Sequence, residues 1–206
     1  KIMSGKGEPE YLNTKFQSIE KNITRIREII DHVRVFSREQ ENFGIEKVHV
    51  NKVIKRALSF ISAQYRNHNI NLITDLQEDI GFSVGSNIKL EQVVLNLLSN
   101  SKYALEERSV IESEINFSKD IRIETKDTEK HILLTIEDNG NGISPEHLPR
   151  IFDPFFTTKP EGYGTGLGLS IVYGIIKNMY GEISVESVEK KFTKFTITLL
   201  RFPEKT

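Results

Sequence analysis

No cysteine occurs anywhere in the 206 residues. Disulfides, thiolate metal sites and a cysteine nucleophile are excluded with it, and a cytosolic home is compatible with that. No block of one charge stands out: 28 basic residues face 29 acidic ones, and no Lys/Arg run marks the chain as a nucleic-acid binder. No apolar stretch approaches the ~20 residues that span a bilayer. No signal peptide opens the chain, so any membrane sensor is expected to belong to sequence outside these residues. A Walker A loop is absent as well. What remains is long enough for one domain with a helical appendage, and able to bury a core without staples.

Polar residues with Gly5, Gly7 and Pro9 open the chain as a loop over residues 1–9. Leu12, Phe16, Ile19, Ile23, Ile26, Ile30 and Val33 then recur at alternating gaps of four and three, the seam of a helical bundle. One helix cannot bury its own stripe. It either packs on the domain that follows or, as the narrowness of the stripe favours, brings copies of the chain together through residues 10–37. Gly44 breaks the pattern and predicts a linker near 38–46. Domain boundaries fall accordingly at 1–40 and 41–206. Asn51 reads as a helix N-cap, followed by Ile54, Leu58, Ile61 and Tyr65 at helical spacing. Residues 70–76 read as a strand, about 87–107 as a long helix, and 108–119 as a connecting loop. Strands with alternating residues are predicted near 121–125 and 132–137. Turn residues crowd 138–166, a helix is expected from about 166 to 180, and a hairpin of 182–188 with 194–201 closes the chain. The sum is an α/β (α+β) sandwich, a mixed, mostly antiparallel sheet with helices on one face, preceded by the long seam helix.

Four short words carry the chemistry. In Asn96-Leu97-Leu98-Ser99-Asn100 the two amides sit four apart, on one face of a predicted helix. Paired asparagines often do no more than face water; flanked by Leu97 and Leu98, these lie at a core boundary. Their hard, neutral oxygens suit Mg²⁺ already carried by phosphates. Asp138-Asn139-Gly140-Asn141-Gly142 follows a strand. It reads as a hairpin turn or as a carboxylate beside backbone that can approach a flat ligand closely; the glycines break the spacing of a Ca²⁺ loop. Phe152-Asp153-Pro154-Phe155-Phe156 offers aromatic anchors for core or lid. Lys159, just beyond, either meets a phosphate as a point charge or faces solvent. Gly164-Thr165-Gly166-Leu167-Gly168-Leu169-Ser170 opens a helix with spacing unlike a dinucleotide fold's G-x-G-x-x-G. Its amides and the helix N-terminus suit anionic phosphates, under a lid formed by the glycine-rich stretch before it.

In this order the four words resemble the N, G1, F and G2 boxes of sensor histidine kinases, over roughly residues 50–201. Residues 10–40 resemble the second helix of that family's dimerisation hairpin. The resemblance implies a catalytic domain that binds ATP with Mg²⁺ and passes the γ-phosphate to a histidine, then to an aspartate on a response regulator receiver domain. It implies that Asn100 is the metal ligand and Asn96 its companion. Asp138 then accepts a hydrogen bond from the adenine amino group, Gly140 and Gly142 line the base, and Ile143 packs against it. Lys159 and Gly164, Thr165, Gly166, Leu167 and Gly168 fall to the phosphate side. It implies a homodimer in the cytoplasm, joined to any membrane only through parts outside this chain.

The acceptor histidine of such kinases is followed by an acid and then a proline. His32, His49, His68, His131 and His147 all lack that context, so no catalytic phosphoacceptor is expected here; it should lie on the first dimerisation helix. Two departures from the family stand out. Tyr103 replaces a frequent acid or base, and Glu189-Lys190-Lys191 replaces a glycine-rich turn that is expected to lie away from the four words. Two rival readings remain. A hydrolase of the same superfamily would need a glutamate where Asn96 stands. A nucleotide-sensing module would bind without turnover.

Overall fold

The computed structural model describes residues 46–111, 117–160 and 164–203, with 11–13, 15, 16 and 19. Its scaffold is a sheet whose residues alternate as a half-buried strand must. In β5 (His131–Asp138) Ile132, Leu134, Ile136 and Asp138 are buried, and the residues between them are only partly covered. β4 (Lys119–Asp127) and β7 (Phe192–Leu200) repeat the pattern with Ile121, Ile123 and Thr125, and with Thr193, Phe195, Ile197 and Leu199. With β2 (Ile70–Leu76) and β6 (Glu182–Val188) the order is β2-β4-β5-β7-β6; β2 runs parallel to β4 and every other pair is antiparallel.

Three helices cover the buried face: α1 (Val50–Asn67), α2 (Asn87–Ile111) and α3 (Gly168–Asn178). α2 lies in the middle, packed on β4 and β5 and flanked by the other two. Leu90, Val93, Val94, Leu97, Leu98 and Leu105 of α2 are fully buried, as their spacing requires. This is the expected sandwich, a mixed and mostly antiparallel sheet with helices on one face. Among the described residues no helix is long and apolar enough to cross a membrane.

The structure differs from expectation in several places. Glu46, at the end of the expected linker, opens a strand, β1 (Glu46–Val48), which pairs with β3 (Ser83–Gly85) in a small separate sheet that the sequence did not suggest. At three residues each they are too short to show a period. β1 runs directly into α1, so the first turn of that helix is already in the core. His49, not Asn51, holds the cap position, and no side chain caps it. Asn51 is buried within the first turn, donating to the Gln77 carbonyl at 2.8 Å and accepting from the Thr125 hydroxyl at 2.8 Å. The cap that does form is at α2, where the Glu46 carboxylate accepts from the Asn87 backbone N–H (3.0 Å) and side chain (2.8 Å). These bonds hold its pKa below the usual value. α2 also continues past 107 to Ile111, and α3 begins two residues later than expected.

Residues 11–13, 15, 16 and 19 are helical, with Leu12, Phe16 and Ile19 exposed. The rest of the expected 10–37 helix, the loop 1–9 and most of the linker lie outside the described residues.

Candidate functional site

One helix sets the two ends of the site. Along α2, Asn96, Asn100, Tyr103 and Glu107 fall at gaps of four, three and four, and Ser101, Ala104 and Arg108 fall on the neighbouring stripe at three and four. Residues so spaced share a helix face. The first stripe looks toward the segment after the phenylalanines. Lys159 comes in from that segment: its ammonium donates to Asn100 Oδ1 at 3.3 Å and lies 4.2 Å from the centre of the Tyr103 ring. Burial holds its pKa below the usual lysine value, against the opposing pull of Glu107. Lys159 is therefore turned inward rather than into solvent. Tyr103, where an acid or base is frequent, supplies a ring face to a cation.

The second stripe carries the loop after β5. The alternation of β5 points the Asp138 carboxyl at α2, where it is only 3% exposed. Burial pushes its pKa up from 3.8 to about 6, and bonds from Ser101 and the Gly140 amide limit the rise. The Gly140 N–H donates to Oδ1 at 3.0 Å. A Cβ on Gly140 would stand 2.7 Å from the Ala104 Cβ, and one on Gly142, whose φ is +67°, would stand 2.2 Å from the Val188 carbonyl oxygen. Both glycines are thus demanded by close approach. Ile143, half-buried against the core, donates its backbone N–H to Ser187 Oγ at 2.9 Å.

The β6–β7 turn was expected to lie away from this loop, and it does not. The Lys190 N–H donates to the Asn141 carbonyl at 2.6 Å, and the Lys191 carbonyl accepts from Arg108 at 3.0 Å. The sheet order explains it: β7 pairs with β5, which brings the turn at the start of β7 beside the end of β5.

On the third side, Phe152 and Phe156 pack on the core, Phe152 against Tyr173 and Phe156 between His147 and Arg150. Phe155 adopts φ of +66°. Gly166, at φ +69°, lies so close that a Cβ on it would meet the Phe155 carbonyl carbon at 2.3 Å. This left-handed turn is why α3 starts at Gly168 rather than Gly166. Gly164 backs onto Thr157, Thr165 Oγ1 accepts from the Leu167 N–H at 3.4 Å, and buried Leu167 anchors the turn. No side chain caps α3, and a Cβ on Gly168 would meet nothing within 4 Å. The N-terminus of a helix in that state suits an anion.

Among the described residues no group of three or more His, Cys, Asp or Glu side chains gathers to hold a metal. The oxygens on offer are the amides of Asn96 and Asn100, and an ammonium already rests against Asn100. This donor set does not suit a metal bound by protein alone. It fits a divalent cation that arrives carrying phosphate oxygens.

His49 stacks edge-on with Phe82, His68 pairs with Glu106, and His147 bonds Ser144 Oγ; His32 lies outside the described residues. Residues that sequence reasoning passed over are Ser101, Arg108 and Ser187. Ser101 fell inside the expected helix and Arg108 just past its expected end, and their partners are far away in sequence.

Comparison with known proteins bears on the family and the fold. The family described as histidine kinase-, DNA gyrase B- and HSP90-like ATPase matches residues 85–203. The two-component sensor PprA of Pseudomonas aeruginosa is 32% identical over 179 residues, 85% of this chain and 18% of that protein. Sporulation kinase E of Bacillus subtilis is 32% identical over 198 residues, 96% of this chain and 25% of that protein. The chain thus spans a quarter or less of the length of these two relatives. Among solved structures, the nucleotide-free catalytic domain of histidine kinase ThkA matches with TM-score 0.65 and 26% identity, over 77% of this chain and 99% of that one. Full-length ShkA in complex with AMPPNP shares the fold, with TM-score 0.79 and 15% identity over 100% of this chain and 41% of that one.

Proposed function

Because the chain belongs to the histidine kinase-, DNA gyrase B- and HSP90-like ATPase family, we propose that residues 41–206 are the ATP-binding catalytic domain of a sensor histidine kinase. Residues 1–40 are the end of its dimerisation and phosphotransfer region, and the exposed apolar seam residues Leu12, Phe16 and Ile19 pair with a second copy. The observation that carries the reading is the buried Asp138 carboxyl at the end of β5, together with the uncapped N-terminus of α3, a helix packed on α2. One end receives the exocyclic amino group of adenine; the other receives phosphates.

In this reading Asp138 accepts a hydrogen bond from the base and rejects guanine, whose six-position is an oxygen. Gly140 and Gly142 let the loop backbone lie against the ring, with Ile143 beneath it. The backbone at Gly164, Thr165, Gly166, Leu167 and Gly168 turns into α3 so that its amides face the phosphates. Lys159 moves its charge from Asn100 to a phosphate oxygen. Asn100, assisted by Asn96, would hold Mg²⁺, which when bound neutralises phosphate charge and fixes the geometry of transfer. Positioning and charge neutralisation supply most of the rate in such reactions. Asn96 has no basic group to activate water, which favours transfer over hydrolysis. The acceptor histidine comes from the other dimerisation helix, and the phosphoryl group passes on to a response regulator receiver domain, as the class of the two-component relatives suggests. A need for ATP places the domain in the cytoplasm.

Incubation with γ-labelled ATP tests this. The chain alone should bind nucleotide and take up no label. Adding a polypeptide with the first dimerisation helix should give label that is acid-labile and base-stable, as phosphohistidine is. Rapid phosphate release with no labelled protein would favour the hydrolase, and tight binding with neither outcome would favour the sensing module.

A further inference from the structure

Arg108 stands on the stripe of α2 that faces the loop after β5, and it carries more bonds than a surface arginine needs. Its Nη1 donates to the carbonyl of Asn139 at 2.9 Å, of Gly140 at 3.3 Å and of Lys191 at 3.0 Å. Its guanidinium lies 4.7 Å from the centre of the Phe117 ring. Two of those carbonyls belong to the loop that follows Asp138, and the third belongs to the β6–β7 turn.

From this we infer that Arg108 is the positioning residue that sets the nucleotide base: it fixes the Asn139–Gly140 backbone, and so the Asp138 carboxyl, relative to the β6–β7 turn. The inference rests on the adenine reading of the site and adds a residue the four words do not contain. The guanidinium does not touch the base. It acts through the loop, whose other bonds run the same way: the Asn141 N–H donates to the Ala104 carbonyl at 3.2 Å, and the Lys190 N–H closes on Asn141 from the turn. The guanidinium plane laid on the aromatic ring holds Nη1 where the three carbonyls converge. All three bonds leave one nitrogen, so what an ammonium on the shorter lysine stem lacks is the reach to that point and the flat face that rests on the Phe117 ring. The same bonds make the β6–β7 turn a support of the base rather than a remote loop.

Two readouts on the full chain test this. Hydrogen exchange is compared between the parent protein and Arg108→Met; the amides of residues 139–142 and 188–192 should speed up together, with the buried half of α2 unchanged. Calorimetry with ATP, ADP and GTP should show Arg108→Met weakening ATP by about tenfold or more. The loss should be the same for ADP, since the defect is at the base, and the preference for ATP over GTP should shrink. Arg108→Lys should recover only part. If Arg108→Met does not fold, Phe117→Leu, which removes the ring and leaves the bonds, should show a smaller loss in the same sense.

Unchanged exchange in both segments, or equal losses for ATP and GTP with selectivity intact, would overturn the inference. A parent protein that binds no adenine nucleotide would overturn the reading of the site instead, and the exchange result would still decide whether Arg108 grips the loop.

Discussion

Replacing Asp138 by Asn should make the protein more stable and a worse nucleotide binder, and the first effect should depend on pH. The carboxyl is buried, and burial raises its pKa from 3.8 to about 6. A shift of roughly two units corresponds to about 3 kcal/mol between the protonation states. The folded protein holds the proton more tightly than the unfolded chain. Stability from this group is therefore fully present below about pH 4 and is lost as pH rises through 6. At pH 8 the fold carries a buried anion at that cost. Asparagine has the shape of the neutral acid: its oxygen can keep the Gly140 N–H, and its amide can donate to the Ser101 hydroxyl. Urea unfolding at pH 8 should then favour Asp138→Asn by about 1–3 kcal/mol, the lower figure allowing for relaxation around the new amide. At pH 4.5 the difference should fall to about a third of its value at pH 8, and it should vanish only below about pH 4. ATP affinity at pH 8 should move the other way, because the amide places a donor where the base presents one. A variant less stable than the parent at pH 8, or a stability difference equal at both pH values, would refute the assignment of a buried, destabilising carboxylate.

Asn100→Ala should remove the dependence of nucleotide affinity on Mg²⁺, checked by titrating ATP with and without the metal. It should leave the melting temperature within a few degrees, since Asn100 is only partly buried. Gly142→Ala should destabilise by roughly 2–5 kcal/mol, the sum of a left-handed backbone penalty and a clash with the Val188 carbonyl; a melt within a degree of the parent would contradict the geometry at that turn. Ile23→Asp together with Ile26→Asp should convert a dimer to a monomer by light scattering. A monomeric parent would mean that the seam packs internally or that the first dimerisation helix is indispensable.

The parts of this fold that were legible in the sequence are those with a long period. β5 alternates over eight residues, which made its buried face readable; the strand runs one residue further than expected, and the same alternation turns Asp138 inward. α2 keeps an apolar stripe from Leu90 to Leu105, so its asparagine pair could be placed beside the core. The failures were of two kinds. β1 and β3 are held by each other rather than by a pattern, and Asn51 looks like a cap because its type favours caps, whereas its partners Gln77 and Thr125 lie 26 and 74 residues away. The β6–β7 turn was misjudged for a similar reason. Its place beside the Asp138 loop follows from the order of β5 and β7 in the sheet, and strand order is not written in either strand.

The central claim is that the buried carboxyl at the end of β5 selects an adenine nucleotide. Calorimetric titration of the parent protein and of Asp138→Ala with ATP and with GTP, in the presence of Mg²⁺ at pH 8, tests it most directly. The account predicts clear binding of ATP by the parent, much weaker binding of GTP, and loss of most ATP affinity in the variant. Equal binding of the two nucleotides by the parent, or full ATP affinity without the Asp138 carboxyl, would contradict it.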